Sequence, residues 1–225
     1  MTLVKICGLM RPEDVDAAVD AGADLVGFIL VEGTPRYLEP DRARALAARV
    51  PDRVKTVAVV AKPGLAPAEG FDLTQTYDTP AHFRDGSGSD PTPAIGTNGA
   101  GLWRGRDDAS AFRDLIVASR GDVPEGVPDG VPVLLDLAFG SRPGPEELHA
   151  HWARAAEARQ PVILAGSLDP ENVADAVRAA KPWAVDTARG VETAPARSRP
   201  AFPTACAPSR SCRRYQVPPP SRGSI

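Results

Sequence analysis

The sequence predicts an α/β protein, a TIM (β/α)8 barrel, and three observations carry that prediction. Short apolar runs alternate with helical patterns along most of the chain, which argues for a parallel sheet with helices outside it. Eight such runs are found, the number that closes a barrel. No Gly-x-Gly-x-x-Gly follows the first run, which counts against an open, dinucleotide-binding sheet. The length of 225 residues suits one such domain, and a hydrophobic content of 43 % is enough for a sizeable core.

The elements follow in order. Residues 3–8 read as a buried strand. Pro12 opens a helix with Glu13 and Asp14 in its first turn, where the helix dipole favours acids, and Gly22 is placed to end it. Val15, Ala18, Val19 and Ala23 repeat at helical spacing. Residues 24–31 form a continuously apolar second strand, as expected of a parallel strand buried on both faces. A helix over 41–50 and a strand over 55–61 come next. The stretch 62–70 is too short and too rich in Pro and Gly for a full helix. Residues 71–76 read as the fourth strand, 79–85 as one or two helical turns, and 93–97 as the fifth strand. Ala111, Leu115 and Ala118 share a stripe, which predicts a helix over 107–120. After a turn-rich loop, strands over 131–137, 161–165 and 183–187 alternate with helices over 145–159 and 170–180, the latter capped by Asp169. The barrel domain is therefore expected over 1–193. The tail over 194–225, with Pro, Ser, Arg and two Cys but no apolar period, is expected to be irregular. It reads like a foreign frame fused to a barrel that still needs a helix to cover its eighth strand.

Composition excludes several classes. A net charge of −3 gives no basic stripe for nucleic acid. The longest apolar run, near Leu25 to Val31, falls far short of the ~20 residues of a membrane helix. The N-terminus has no basic stretch followed by a long apolar region, so no signal peptide is expected. Three cysteines make no disulfide framework, and a cytoplasmic setting is the natural expectation.

Barrel chemistry sits at the C-terminal ends of the strands. There the sequence places Cys7 after strand one, Arg36 after strand two and Asp136 after strand six. Gly166 and Ser167 follow strand seven, and Ala188, Arg189 and Gly190 follow strand eight. The loops after strands seven and eight are where such barrels often hold a phosphate.

These residues also carry a resemblance. Lys5-Ile6-Cys7-Gly8-Leu9 with Arg11-Pro12-Glu13-Asp14-Val15 resembles the opening motif of the phosphoribosylanthranilate isomerase family. Thr34-Pro35-Arg36-Tyr37, Leu134-Leu135-Asp136, the run from Leu164 to Val173 and the run from Val185 to Glu192 resemble its later motifs, in the right order. The resemblance implies an Amadori rearrangement of phosphoribosylanthranilate, with no cofactor and no metal, in a monomer or homodimer. It implies Asp136 as the acid at the furanose oxygen, Cys7 as the base at C2 and Arg36 on the anthranilate carboxylate. Lys5 lies on the same strand face as Cys7 and is expected to help draw the thiol pKa towards neutrality. Lys5, Asp186, Gly166, Ser167, Ala188, Arg189 and Gly190 complete the implied substrate site. This chain differs from the family pattern at Ser167, at Ala188-Arg189, in the loop from Gly140 to Gly144, and at Tyr77, which stands where the strand-four motif has histidine. Those differences also suit a barrel that binds a sugar phosphate without turnover. A thiol hydrolase built on Cys7 would need a histidine base, and His82, His149 and His151 all fall on helical patterns away from the expected strand ends. His149 and His151, two apart on a helix, are not spaced for one metal. Trp152 is expected in the core, and Cys206 and Cys212 lack the spacing of a zinc site.

Overall fold

The computed structural model describes residues 2–61, 69–77, 114–127, 130–137, 142–194 and 197–198. Eight parallel strands form a closed barrel. They are β1 (Leu3–Cys7), β2 (Leu25–Ile29), β3 (Lys55–Val60), β4 (Leu73–Thr76), β5 (Leu115–Arg120), β6 (Val133–Asp136), β7 (Val162–Leu164) and β8 (Ala184–Thr187). Each pairs with the next, and β8 returns to β1 with Leu3 opposite Ala184 through to Ile6 opposite Thr187. Side chains alternate across a strand, so every second residue points into the barrel. Leu25, Val57, Ile116, Leu134, Ile163 and Ala184 pack together there as an apolar plug.

Four helices are described outside it: α1 (Pro12–Asp20), α2 (Pro40–Ala47), α3 (Pro145–Glu157) and α4 (Val173–Ala180). The first three begin with proline, whose fixed φ and missing N–H suit a first helical position. Val15 and Ala18 of α1 and Ala43 and Leu46 of α2 are buried against the outer faces of β1 and β2, beside Ile6, Val26 and Phe28. Trp152 and Ala155 of α3, with Val173 and Ala176 of α4, pack over Val133, Leu135, Val162 and Leu164. Among the described residues no helix is long and apolar enough to cross a membrane.

Two expectations are corrected. The helix expected over 107–120 is a strand at its end: Leu115–Arg120 is β5, paired with β4 and β6. Leu115, Ile116, Val117 and Ala118 are all buried, so what matters is a continuous apolar run and not the helical spacing of Leu115 and Ala118. The fifth barrel strand is Leu115–Arg120, and residues 93–97, like 79–85, lie outside the described ones. The helix expected over 170–180 begins at Val173, with Asn172 at its N-cap, because Asp169 caps a preceding turn instead. The eight strands close as a barrel, and among the described residues no α-helix follows β8. A short 3-10 turn (Arg189–Val191) buries Val191 beside Val4, and β9 (Glu192–Ala194) pairs with β10 (Arg197–Ser198) as a separate two-stranded sheet.

Candidate functional site

Strand alternation points Leu3, Lys5 and Cys7 of β1 into the barrel. Lys5 is fully buried, and its Nζ donates to Asp186 Oδ1 at 2.9 Å, across the registered pair that joins β1 to β8. Room for both inward groups comes from Gly27 on β2. A Cβ there would stand 2.8 Å from Cys7 Sγ and 3.3 Å from Lys5 Nζ. Burial by itself would lower the Lys5 amine, but Asp186 and Cys7 together outweigh it and hold the amine above its ordinary 10.5. For Cys7 burial wins: it pushes the thiol above its ordinary 9.0, against the pull of Lys5, and Asp186 adds to the rise. The expected descent towards neutrality is therefore corrected. Lys5 acts in the expected direction, but its charge is already answered by Asp186.

Asp136 ends β6, separated from β1 by β7 and β8 around the ring, so the carboxyl and the thiol face one mouth from different sides. Its Oδ1 accepts from the Leu137 N–H at 2.8 Å and its Oδ2 from the Tyr77 hydroxyl at 3.1 Å. Burial and the charge of Asp186 raise this carboxyl above its ordinary 3.8, in spite of the two donors and Arg120. That is the direction needed of an acid that must keep its proton towards neutral pH.

Arg36 follows β2 and reaches the same rim. Its guanidinium is held by Glu192 in a bidentate pair, Nε to Oε1 at 2.7 Å and a terminal nitrogen to Oε2 at 2.6 Å. Both side chains are about nine-tenths buried. The sequence motif includes Glu192 but gives no sign of this pairing, which spans 156 positions.

The loops after β7 and β8 lie together. Thr187 Oγ1 donates to the Leu168 carbonyl at 2.9 Å. Gly190 comes so close to that same carbonyl that any Cβ would overlap it. Ser167 sits at φ 53°, the left-handed conformation that disfavours a side chain. Its carbonyl accepts from Asn172 Nδ2 at 2.9 Å, while Asn172 Oδ1 accepts from the Asp169 N–H at 3.1 Å. Asp169 Oδ1 in turn takes the Glu171 and Asn172 N–H groups at 2.8 and 3.0 Å. Ala188 leads into the 3-10 turn, and Arg189 is exposed. Behind the β7 loop, fully buried His151 bonds through Nε2 to the Ala165 carbonyl at 3.0 Å. The expectation that every histidine lies away from the strand ends is thus corrected for His151, though its ring supports the loop from outside the barrel. His149 is exposed and edges against buried Trp152.

The structure therefore brings Lys5, Cys7, Asp136 and Asp186 to one mouth, Arg36 to its rim, and Gly166, Ser167, Ala188, Arg189 and Gly190 to two adjoining loops. Sequence reasoning missed the parts of Glu192, Asn172 and Tyr77. Only the strand-end position of Tyr77 and the loop position of Asn172 hinted at them.

The family model described as N-(5'phosphoribosyl)anthranilate (PRA) isomerase matches residues 133–198. A relative from Chromohalobacter salexigens, N-(5'-phosphoribosyl)anthranilate isomerase, is 36 % identical over 89 % of this chain and 90 % of its own. Another, of the same name from Thiobacillus denitrificans, is 38 % identical over 85 % of this chain and 89 % of its own. The crystal structure of phosphoribosyl anthranilate isomerase from Thermus thermophilus superposes with a TM-score of 0.63 at 26 % identity, covering 88 % of this chain and 93 % of that one.

Proposed function

The chain belongs to the N-(5'-phosphoribosyl)anthranilate isomerase family, and on that premise we propose how its own residues run the Amadori rearrangement of N-(5-phosphoribosyl)anthranilate to 1-(2-carboxyphenylamino)-1-deoxyribulose 5-phosphate. Asp136 gives its proton to the furanose oxygen, the C1–O bond breaks, and the anilino nitrogen supplies the electron pair that forms the protonated Schiff base. Cys7, as thiolate, takes the proton from C2, and that electron pair neutralises the iminium as the enolamine forms. Tautomerisation to the ketone needs no oxidant or reductant. Lys5, beside the thiol, stabilises the thiolate when it forms. The loops at Gly166–Ser167 and Ala188–Gly190 take the phosphate, with exposed Arg189 in place of lost hydroxyl donors. Arg36 takes the anthranilate carboxylate, for which it must share or leave Glu192. A cytoplasmic setting and a monomeric or homodimeric state go with this reading.

The observation that carries it is the placement of a carboxyl with a raised pKa across one mouth from a lysine-paired thiol. A protein that binds the sugar phosphate without turnover has no need of that pair. The test is loss of anthranilate fluorescence on mixing the protein with freshly generated substrate. Cys7→Ala and Asp136→Asn are each expected to lower kcat about 10²–10⁴-fold, the usual worth of a general acid or base. Turnover that survives both substitutions would sink the assignment.

A further inference from the structure

We propose that Tyr77 is a positioning residue for Asp136, its hydroxyl holding one carboxyl oxygen and setting how tightly the proton is kept. This rests on the reading of Asp136 as the acid.

Three observations support it. Tyr77 directly follows β4, two residues after inward-facing Gln75, so its ring lies on the barrel side of the sheet. Its hydroxyl donates to Asp136 Oδ2 at 3.1 Å, and Oδ1 is already engaged by the Leu137 N–H, so the plane of the carboxyl is fixed at both oxygens. The ring is held in turn by Arg120, whose guanidinium carbon lies 4.7 Å from the ring centroid. Arg120 stands opposite Asp136 in the β5–β6 register, so one cation steadies the tyrosine and faces the carboxylate. Burial and the neighbouring carboxylates keep the Tyr77 hydroxyl protonated far past neutral pH, so it acts as a fixed donor.

The charged and titratable groups around Asp136 give the sign. Tyr77 from β4 and Arg120 from β5 favour the carboxylate, while Asp186 from β8 disfavours it. Cys7 and Lys5 from β1 lie beyond, joined to Asp186, and His151 from α3 lies behind, its ring held towards the neutral form by burial. The working state needs Asp136 protonated and Cys7 ionised, the minor arrangement of a singly protonated pair, because a carboxyl is ordinarily the stronger acid. For such a pair kcat/KM rises through the carboxyl pKa and falls through the thiol pKa. Loss of the tyrosine hydroxyl removes a donor from the charged form and moves the rising limb to higher pH.

The experiment is the pH profile of kcat/KM for Tyr77→Phe and for Arg120→Gln, an exposed residue. It is read beside the 13C titration of the Asp136 carboxyl, which needs no turnover. Tyr77→Phe is expected to raise the limb and the carboxyl titration together by about one pH unit, the size of one hydrogen bond to a charged acceptor. Arg120→Gln is expected to raise both by less, and together with Tyr77→Phe by less than the sum. KM should change no more than about twofold, since the contact is made to the acid and not to bound substrate. Unmoved titrations in Tyr77→Phe would overturn the proposal. If that variant does not fold, the 13C shift of the Tyr77 ring carbon bearing the hydroxyl in the parent protein decides, and a shift that does not follow the Asp136 titration overturns it. Full turnover in Asp136→Asn would instead remove the role of Asp136 as acid and leave the carboxyl titration to decide Tyr77 alone.

Discussion

A single buried imidazole shows how much a residue's surroundings decide. His151 is fully enclosed, and burial lowers its pKa below the ordinary 6.5 despite the Ala165 carbonyl that favours the charged ring. In the unfolded chain it binds a proton near pH 6.5, and in the folded one only at lower pH. Folding stability should therefore fall as the pH drops below about 6.5, at up to ~1.4 kcal/mol per unit, and level off below the folded value. His151→Leu would flatten that part of the curve while losing the bond to Ala165. Denaturant melts of both proteins between pH 7 and 4.5 check this, and parallel curves would refute it.

At the scale of elements, the turn between β7 and α4 shows what spacing can and cannot say. Asp169 read as the helix cap because an acid before an apolar stripe usually is one. Here it caps the turn that lets Asn172 reach back to the Ser167 carbonyl. That arrangement holds Ser167 in a conformation that costs roughly 1 kcal/mol or more for any residue with a Cβ. Ser167→Gly should then stabilise the protein by about 1 kcal/mol and lower KM with little change in kcat, by relieving the strain and clearing space for phosphate. Thermal melts and steady-state kinetics measure both, and a higher KM would contradict the crowding argument. The same contrast applies elsewhere. β2 and β3 were legible as largely apolar runs, and β1 and β8 as short apolar runs broken by the inward Lys5 and Asp186. The Leu115–Arg120 strand was misread because a short buried run satisfies a three-residue period as readily as an extended one. Within the site, Cys7, Arg36 and Asp136 could be placed from strand ends alone. The Glu192 carboxylate on Arg36, the Tyr77 hydroxyl on Asp136 and the rise of the Cys7 thiol could not. Each depends on which side chains meet across the ring, and pairs 59 and 156 positions apart leave no local trace.

For the molecule as a whole, the buried Lys5–Asp186 pair is the link that matters most, since it stands where the first strand meets the last. Lys5→Met should cost about 3–5 kcal/mol, mainly because Asp186 is left with an uncompensated charge inside the barrel. The amine's raised pKa means that its contribution is complete below pH ~10.5 and is lost progressively from there up to the folded value. Urea titrations at pH 7 and pH 11 should show the variant's deficit shrinking at the higher pH. A deficit that does not change would mean that the loss lies in packing. The partners of this pair lie 181 positions apart in the chain. At ~5–20 residues per second a ribosome takes roughly ten to forty seconds to span that distance. Until β8 has been made, Lys5 has no Asp186 to pair with and the ring of strands around Cys7 cannot close. The strand that carries the thiol is thus made first and enclosed last, when the finished chain closes the circle.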